Sequence, residues 1–118
     1  MKEQEITRMN VQAEEPFKRI GIEEARRLIE SGVPVIDVRE LGEYQRGHLS
    51  GAKLVPLNTF LRDARKHLPA SGPVLFVCAV GQRSAVAAEM AAAVGATGVY
   101  NIEGGINAWI AKGYPIEH

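Results

Sequence analysis

A single cysteine, Cys78, ends the apolar run Pro73-Val74-Leu75-Phe76-Val77 and opens the segment Cys78-Ala79-Val80-Gly81-Gln82-Arg83-Ser84. A glycine in mid-segment, then an arginine and a helix start, are the ingredients of an anion-binding nest. In such a nest successive backbone N–H groups turn toward one point at a helix N-terminus. A thiol at its base is drawn toward the thiolate by the aligned amides, by the helix dipole and by Arg83. That thiolate is a nucleophile, and the surrounding donors stabilise an anion it receives or displaces. The competing reading is packing, since a lone cysteine after an apolar strand is most often an inert buried residue. Packing has no use for the glycine turn, the arginine and the helix start that follow, and these favour chemistry.

The elements around Cys78 must bring other groups to it. Residues 17–20 form a short strand candidate. Residues 21–30 place Ile22, Ala25, Leu28 and Ile29 at helical spacing, with Gly32 as the stop. Pro34-Val35-Ile36-Asp37-Val38-Arg39 is β-branched without polar alternation, the pattern of a strand buried on both faces. A short helix over 41–46 and a strand over 53–56 follow. Asn58 is then the expected N-cap of a helix carrying Leu61, Ala64 and Leu68. The run 73–77 reads as the central strand, and 84–94 as an alanine-rich helix with Val86, Met90 and Val94 on one stripe. A strand over 98–102 and a helix over 106–111 containing Trp109 complete the series. This rhythm predicts an α/β domain with a mainly parallel central sheet flanked by helices on both faces. Ligands in such sheets bind beyond the carboxyl ends of the strands. Asp37 to Arg39, Cys78, and Asn101-Ile102-Glu103-Gly104-Gly105 all fall at such ends.

The chain has 118 residues, which suits one core: a single domain over 17–118 after a polar arm at 1–16. Fourteen basic residues balance fourteen acidic ones, so no global field holds a nucleic acid or an anionic membrane. One cysteine forms no internal disulfide, and without Cys-x-x-Cys and with three histidines there is no zinc-ligand pattern. The start lacks the apolar stretch of a secretory signal, and no apolar run approaches the roughly 20 residues of a membrane span. The cytoplasm is the expected compartment.

Asp37-Val38-Arg39-Glu40-Leu41-Gly42-Glu43-Tyr44-Gln45-Arg46-Gly47-His48-Leu49-Ser50-Gly51-Ala52 resembles the amino-terminal signature of rhodanese domains: Asp-x-Arg, Glu-Tyr or Glu-Phe, then Gly-His-Ile-x-Gly-Ala. Leu49 replaces the usual isoleucine. Cys78-x-x-Gly81-x-Arg83-Ser84 resembles the family's active-site loop, and Gly104-Gly105-Ile106-Asn107-Ala108-Trp109 its closing Gly-Gly-x-x-Ala-Trp. The three motifs run from Asp37 to Trp109, and the resemblance covers about residues 17 to 115.

The resemblance implies a single-domain sulfurtransferase with thiosulfate:cyanide activity. Cys78 would take a sulfane sulfur as a persulfide among the amides of Ala79, Val80, Gly81, Gln82, Arg83 and Ser84. It would pass that sulfur to cyanide, a thiol or a protein, with a sulfur-relay protein as a further candidate partner. No metal or organic cofactor is implied. Loops of this family that prefer thiosulfate often carry basic residues after the cysteine. Here Ala79 and Val80 stand there, which leaves room for a less anionic donor. The alternatives are a sulfur carrier without turnover, a protein-binding rhodanese module and, more distantly, phosphatase or arsenate reductase chemistry. The similar phosphatase loop is Cys-x5-Arg, one residue longer than the spacing of Cys78 and Arg83. Asp37 and Arg39 read first as a structural pair at the strand end, and His48 as a buried histidine bonded to backbone. A supporting role in the site is the alternative for these three. Glu43 is read like His48.

Overall fold

In the computed structural model, which describes residues 15–118, strands and helices alternate. They are β1 (Lys18–Ile20), α1 (Ile22–Glu30), β2 (Val35–Asp37), α2 (Leu41–Gln45), β3 (Lys53–Leu54) and α3 (Leu57–Arg62), followed by α4 (Ala64–His67), β4 (Val74–Val77), α5 (Gln82–Ala93), β5 (Val99–Ile102) and α6 (Gly105–Ala111). The arm expected at 1–16 lies outside the described residues except for its last two.

The five strands form one sheet in the order β1-β5-β4-β2-β3, and every pair is parallel. Successive side chains of a strand point to opposite faces, so β4 feeds two cores at once. Val74 and Phe76 pack with Phe60 of α3 and Ala87, Ala88 and Ala91 of α5. Leu75 and Val77 pack with Ala25 of α1 and Ile106 and Trp109 of α6. All four β4 residues are inaccessible to solvent, which is why this strand reads as an unbroken apolar run. The chain leaves β2 toward one edge and β4 toward the other. The carboxyl ends of β2 and β4 therefore border the reversal of strand order, where crevices form in open α/β sheets. Asp37 pairs in register with Val77, and the Val38 N–H bonds the Val77 carbonyl at 3.0 Å. The segment 37–39 thus lies against the strand that ends at Cys78.

Three local expectations are corrected. The helix after Cys78 starts at Gln82 rather than Ser84, with Gly81 as its N-cap at φ +105°. The connecting loop is therefore only residues 79–81. The buried stripe of α5 is Ser84, Ala87, Ala88 and Ala91, while Val86 is exposed and Met90 and Val94 only flank the core. A helix lying close on a sheet needs small side chains at the contact, and size outranks apolarity there. Asn58 is not an N-cap: the helix begins at Leu57 after Pro56, whose carbonyl accepts the Phe60 N–H at 2.9 Å. Asp63, at φ −155° and ψ 68°, then breaks the expected single helix into α3 and α4.

Candidate functional site

Cys78 follows β4 directly and is 1% exposed. Its Sγ accepts the Gly81 N–H at 3.1 Å and the Ser84 N–H at 3.3 Å, and the Ser84 hydroxyl lies 3.3 Å away. The carbonyls of the same stretch are held outward, which turns the N–H groups of the following residues, Ala79, Val80 and Gln82, to the opposite side. The Cys78 carbonyl accepts the Ile106 N–H at 2.9 Å and the Ala79 carbonyl accepts the Asn107 N–H at 3.0 Å. Asn101 Nδ2 donates to the Gly81 carbonyl at 3.1 Å. The otherwise unpaired first-turn amides of α6 thus hold one end of the loop and the β5 terminus holds the other. Gly105 makes this approach possible. A Cβ on it would lie 2.6 Å from the Ala79 carbonyl oxygen and closer still to that of Cys78, at a backbone φ of +58°.

Burial pushes the Cys78 thiol up, and the hydrogen bonds outweigh it: the Ser84 hydroxyl, then the amides of Ser84, Gly81 and Val80, leave the thiol below its ordinary value. The sulfur therefore sits at the N-terminus of a twelve-residue helix with several donors aimed at one atom. This arrangement favours a thiolate and can hold a second anionic sulfur near it.

Arg83 was expected to act on the thiol, but its guanidinium is engaged elsewhere. Nη1 and Nη2 meet the two carboxylate oxygens of Glu43 in α2, both at 2.9 Å. Asp37 and Arg39 form a buried pair closed by several hydrogen bonds, the shortest at 2.8 Å, and Arg39 Nη2 also donates to the Gly47 carbonyl at 2.7 Å. The pair ties the end of β2 to the turn after α2. His48 stacks on Tyr44 with ring centroids 3.8 Å apart, and its Nδ1 lies 3.0 Å from the Tyr44 carbonyl. Ala79 is half-buried, while Val80 and Gln82 are exposed at the rim. A depression of about 220 Å³ beside the loop is lined by Ala79, Asn107 and Ile110 on one side and Arg39, Glu43 and Arg46 on the other.

Asn101 and Gly105 stand at a strand end in the sequence, but their grip on the loop comes from the docking of β5 and α6, which spacing does not carry. The Gly-Gly motif was the available signal for Gly105. For Asn101 the only signal was a polar residue within an apolar strand.

Residues 22–112 match the Rhodanese-like domain family. The chain belongs to this family. A relative named thiosulfate sulfurtransferase GlpE, from Pseudomonas fluorescens (strain SBW25), is 36% identical over 101 residues, covering 86% of this chain and 91% of the relative. The rhodanese-related protein of Thermoplasma volcanium has a similar crystal structure, with a TM-score of 0.77 at 32% identity over 86% of this chain and 98% of that one. A protein of unknown function from Rhodopseudomonas palustris, described as a possible tyrosine phosphatase, superposes with a TM-score of 0.73 at 32% identity, covering 95% and 93% of the two chains. The rhodanese signatures read from the sequence are thus matched by the family and by the parallel sheet they sit on.

Proposed function

We propose that this rhodanese-like protein is a sulfurtransferase in which Cys78 is the nucleophile. The observation that carries the reading is the convergence of the Gly81 and Ser84 amides and the Ser84 hydroxyl on Cys78 Sγ. The thiolate attacks the sulfane sulfur of a donor such as thiosulfate. The donor's S–S bond breaks, sulfite leaves with the electron pair, and the new S–S bond leaves a negative charge on the outer sulfur of Cys78 persulfide. The amides of the loop, from Ala79 to Ser84, stabilise that charge. A thiophilic acceptor then attacks the outer sulfur and returns the thiolate. With cyanide the product is thiocyanate; in the cell a thiol or a protein serves. Cys78 is the only cysteine, so no internal thiol can discharge the persulfide. Asp37, Arg39 and His48 act through the scaffold rather than on the sulfur. With both guanidinium ends on Glu43, Arg83 does not close a phosphate-sized ring, which disfavours phosphatase chemistry. No described helix is long and apolar enough to cross a membrane. We place the reaction in the cytoplasm, where a lone thiol stays reduced.

Intact mass of the protein, before and after thiosulfate and then cyanide, tests this. We expect a gain of one sulfur atom that cyanide removes and that Cys78→Ser lacks. Loading retained in Cys78→Ser, or no loading of the wild type from any sulfane donor, overturns the proposal.

A further inference from the structure

The bidentate contact between Arg83 and Glu43 joins residues 40 positions apart, and it places a full ion pair at the rim of the Cys78 loop. Arg83 is the only charged residue between Cys78 and Ser84. It occupies the first turn of α5, between the two amides that bond Sγ. Glu43 lines the depression beside Ala79. Neither partner is fully buried, with side chains 37% and 26% exposed, so an approaching donor feels their sum. We propose that Glu43 is a specificity-determining residue: by neutralising Arg83 it removes one positive charge from the donor entrance, so that the site discriminates against dianionic donors such as thiosulfate in favour of donors with less charge. This inference rests on the sulfurtransferase reading above.

Two further observations support it. Hydrogen bonds from Arg83, working against desolvation, hold the Glu43 carboxyl down to about 2, so the neutralising carboxylate persists at any working pH. The Arg83 guanidinium is held above its ordinary range by its hydrogen bonds to Glu43, against desolvation, so the cation persists alongside its partner. Of the cations lining the depression, Arg39 is paired with Asp37 and Arg46 stands on the α2 side, away from the Cys78–Ser84 segment in sequence, while Val80 and Ile110 at the rim are exposed and apolar.

The test compares thiosulfate with methanethiosulfonate, a monoanion that delivers its sulfane sulfur in the same way and releases methanesulfinate. Persulfide loading of Cys78 is followed by intact mass, and kcat/KM with cyanide as acceptor is measured for each donor. Glu43→Gln frees the guanidinium while its amide oxygen can still accept the Glu40 N–H that starts α2. We expect the thiosulfate-to-methanethiosulfonate ratio to rise about tenfold, the effect of roughly one unit of unpaired charge at a partly exposed site. Arg83→Met leaves the Glu43 carboxylate without its bidentate partner, and the ratio should fall. The double variant should return close to the wild-type ratio. Opposite shifts from the two partners are the signature, because a pair that only braces the loop gives two losses with the ratio unchanged. An unmoved ratio in folded Glu43→Gln overturns the inference, as does a rise in both single variants. Should Glu43→Gln fail to fold, Arg83→Met decides alone: a fall supports the inference and an unchanged ratio overturns it. If the wild type loads from both donors and only the ratios fail to move, this inference falls and the sulfurtransferase reading stands. If it loads from neither, both fall.

Discussion

Replacing Gly105 by alanine adds one methyl group and should dismantle the loop around Cys78. The new Cβ would sit 2.6 Å from the Ala79 oxygen and 2.7 Å from its carbonyl carbon. Both belong to backbone, which cannot swing aside as a side chain can. The left-handed φ of +58° costs a residue with a side chain about 1–2 kcal/mol. Relieving the contact pulls the loop from α6 and loses the bonds from Ile106 and Asn107 to the Cys78 and Ala79 carbonyls, at about 1 kcal/mol each. The sum is about 3–4 kcal/mol, a large part of the roughly 5–15 kcal/mol that holds a domain of this size. For a chain of this length that lowers Tm by about 15 °C. Once the carbonyls are free to turn, the Val80 amide, which shares a peptide with the Ala79 carbonyl, swings from the sulfur, and the thiol rises toward its ordinary value. Thermal unfolding followed by circular dichroism reads the first effect, and iodoacetamide alkylation of Cys78 across pH in the folded protein reads the second. A Tm within about 3 °C of wild type, with an unchanged alkylation profile, would show that α6 does not hold the loop and refute the reasoning.

Because the folded thiol lies below its ordinary value, Cys78 contributes stability that is complete above the unfolded thiol's pKa and is lost as pH falls through the folded one. The stability of wild type minus that of Cys78→Ser, from urea melts, should therefore grow from neutral pH toward pH about 9 and then level off; a difference independent of pH would contradict the lowered acidity. Arg39→Met should cost about 3–5 kcal/mol by leaving the Asp37 carboxylate buried and unpaired, while Asp37→Leu with Arg39→Met should cost less than Arg39→Met alone. A single-variant loss below about 1 kcal/mol in the same melts would mean that the pair does not organise the end of β2.

What could be read from the sequence was local. The apolar run 73–77 had to be a strand buried on both faces, and a glycine four residues beyond it had to turn the chain into a helix. The order of these pieces was enough to expect donors around Cys78. The identities of the distant partners were not legible. Arg83 reads as a free cation until β2, β4 and their following helices are set side by side, when Glu43 comes within reach of both of its nitrogens. Asn101 looks like a polar interruption of a strand until β5 is placed next to β4, where its amide meets the Gly81 carbonyl. Periodicity also misjudged α5, because it ranks valine above alanine and serine at a contact made by small side chains.

The carbonyls of Cys78, Ala79 and Gly81 are fastened by Ile106, Asn107 and Asn101, so the loop around the Cys78 sulfur is held by a stretch of chain made well after it. During synthesis Cys78 leaves the ribosome as an ordinary thiol whose neighbouring peptides rotate freely. The bonds that fix the carbonyls of its loop form only when the last strand and helix have been translated and have docked. The geometry of the Cys78 loop is thus a property of the completed domain and not of the segment that carries the cysteine.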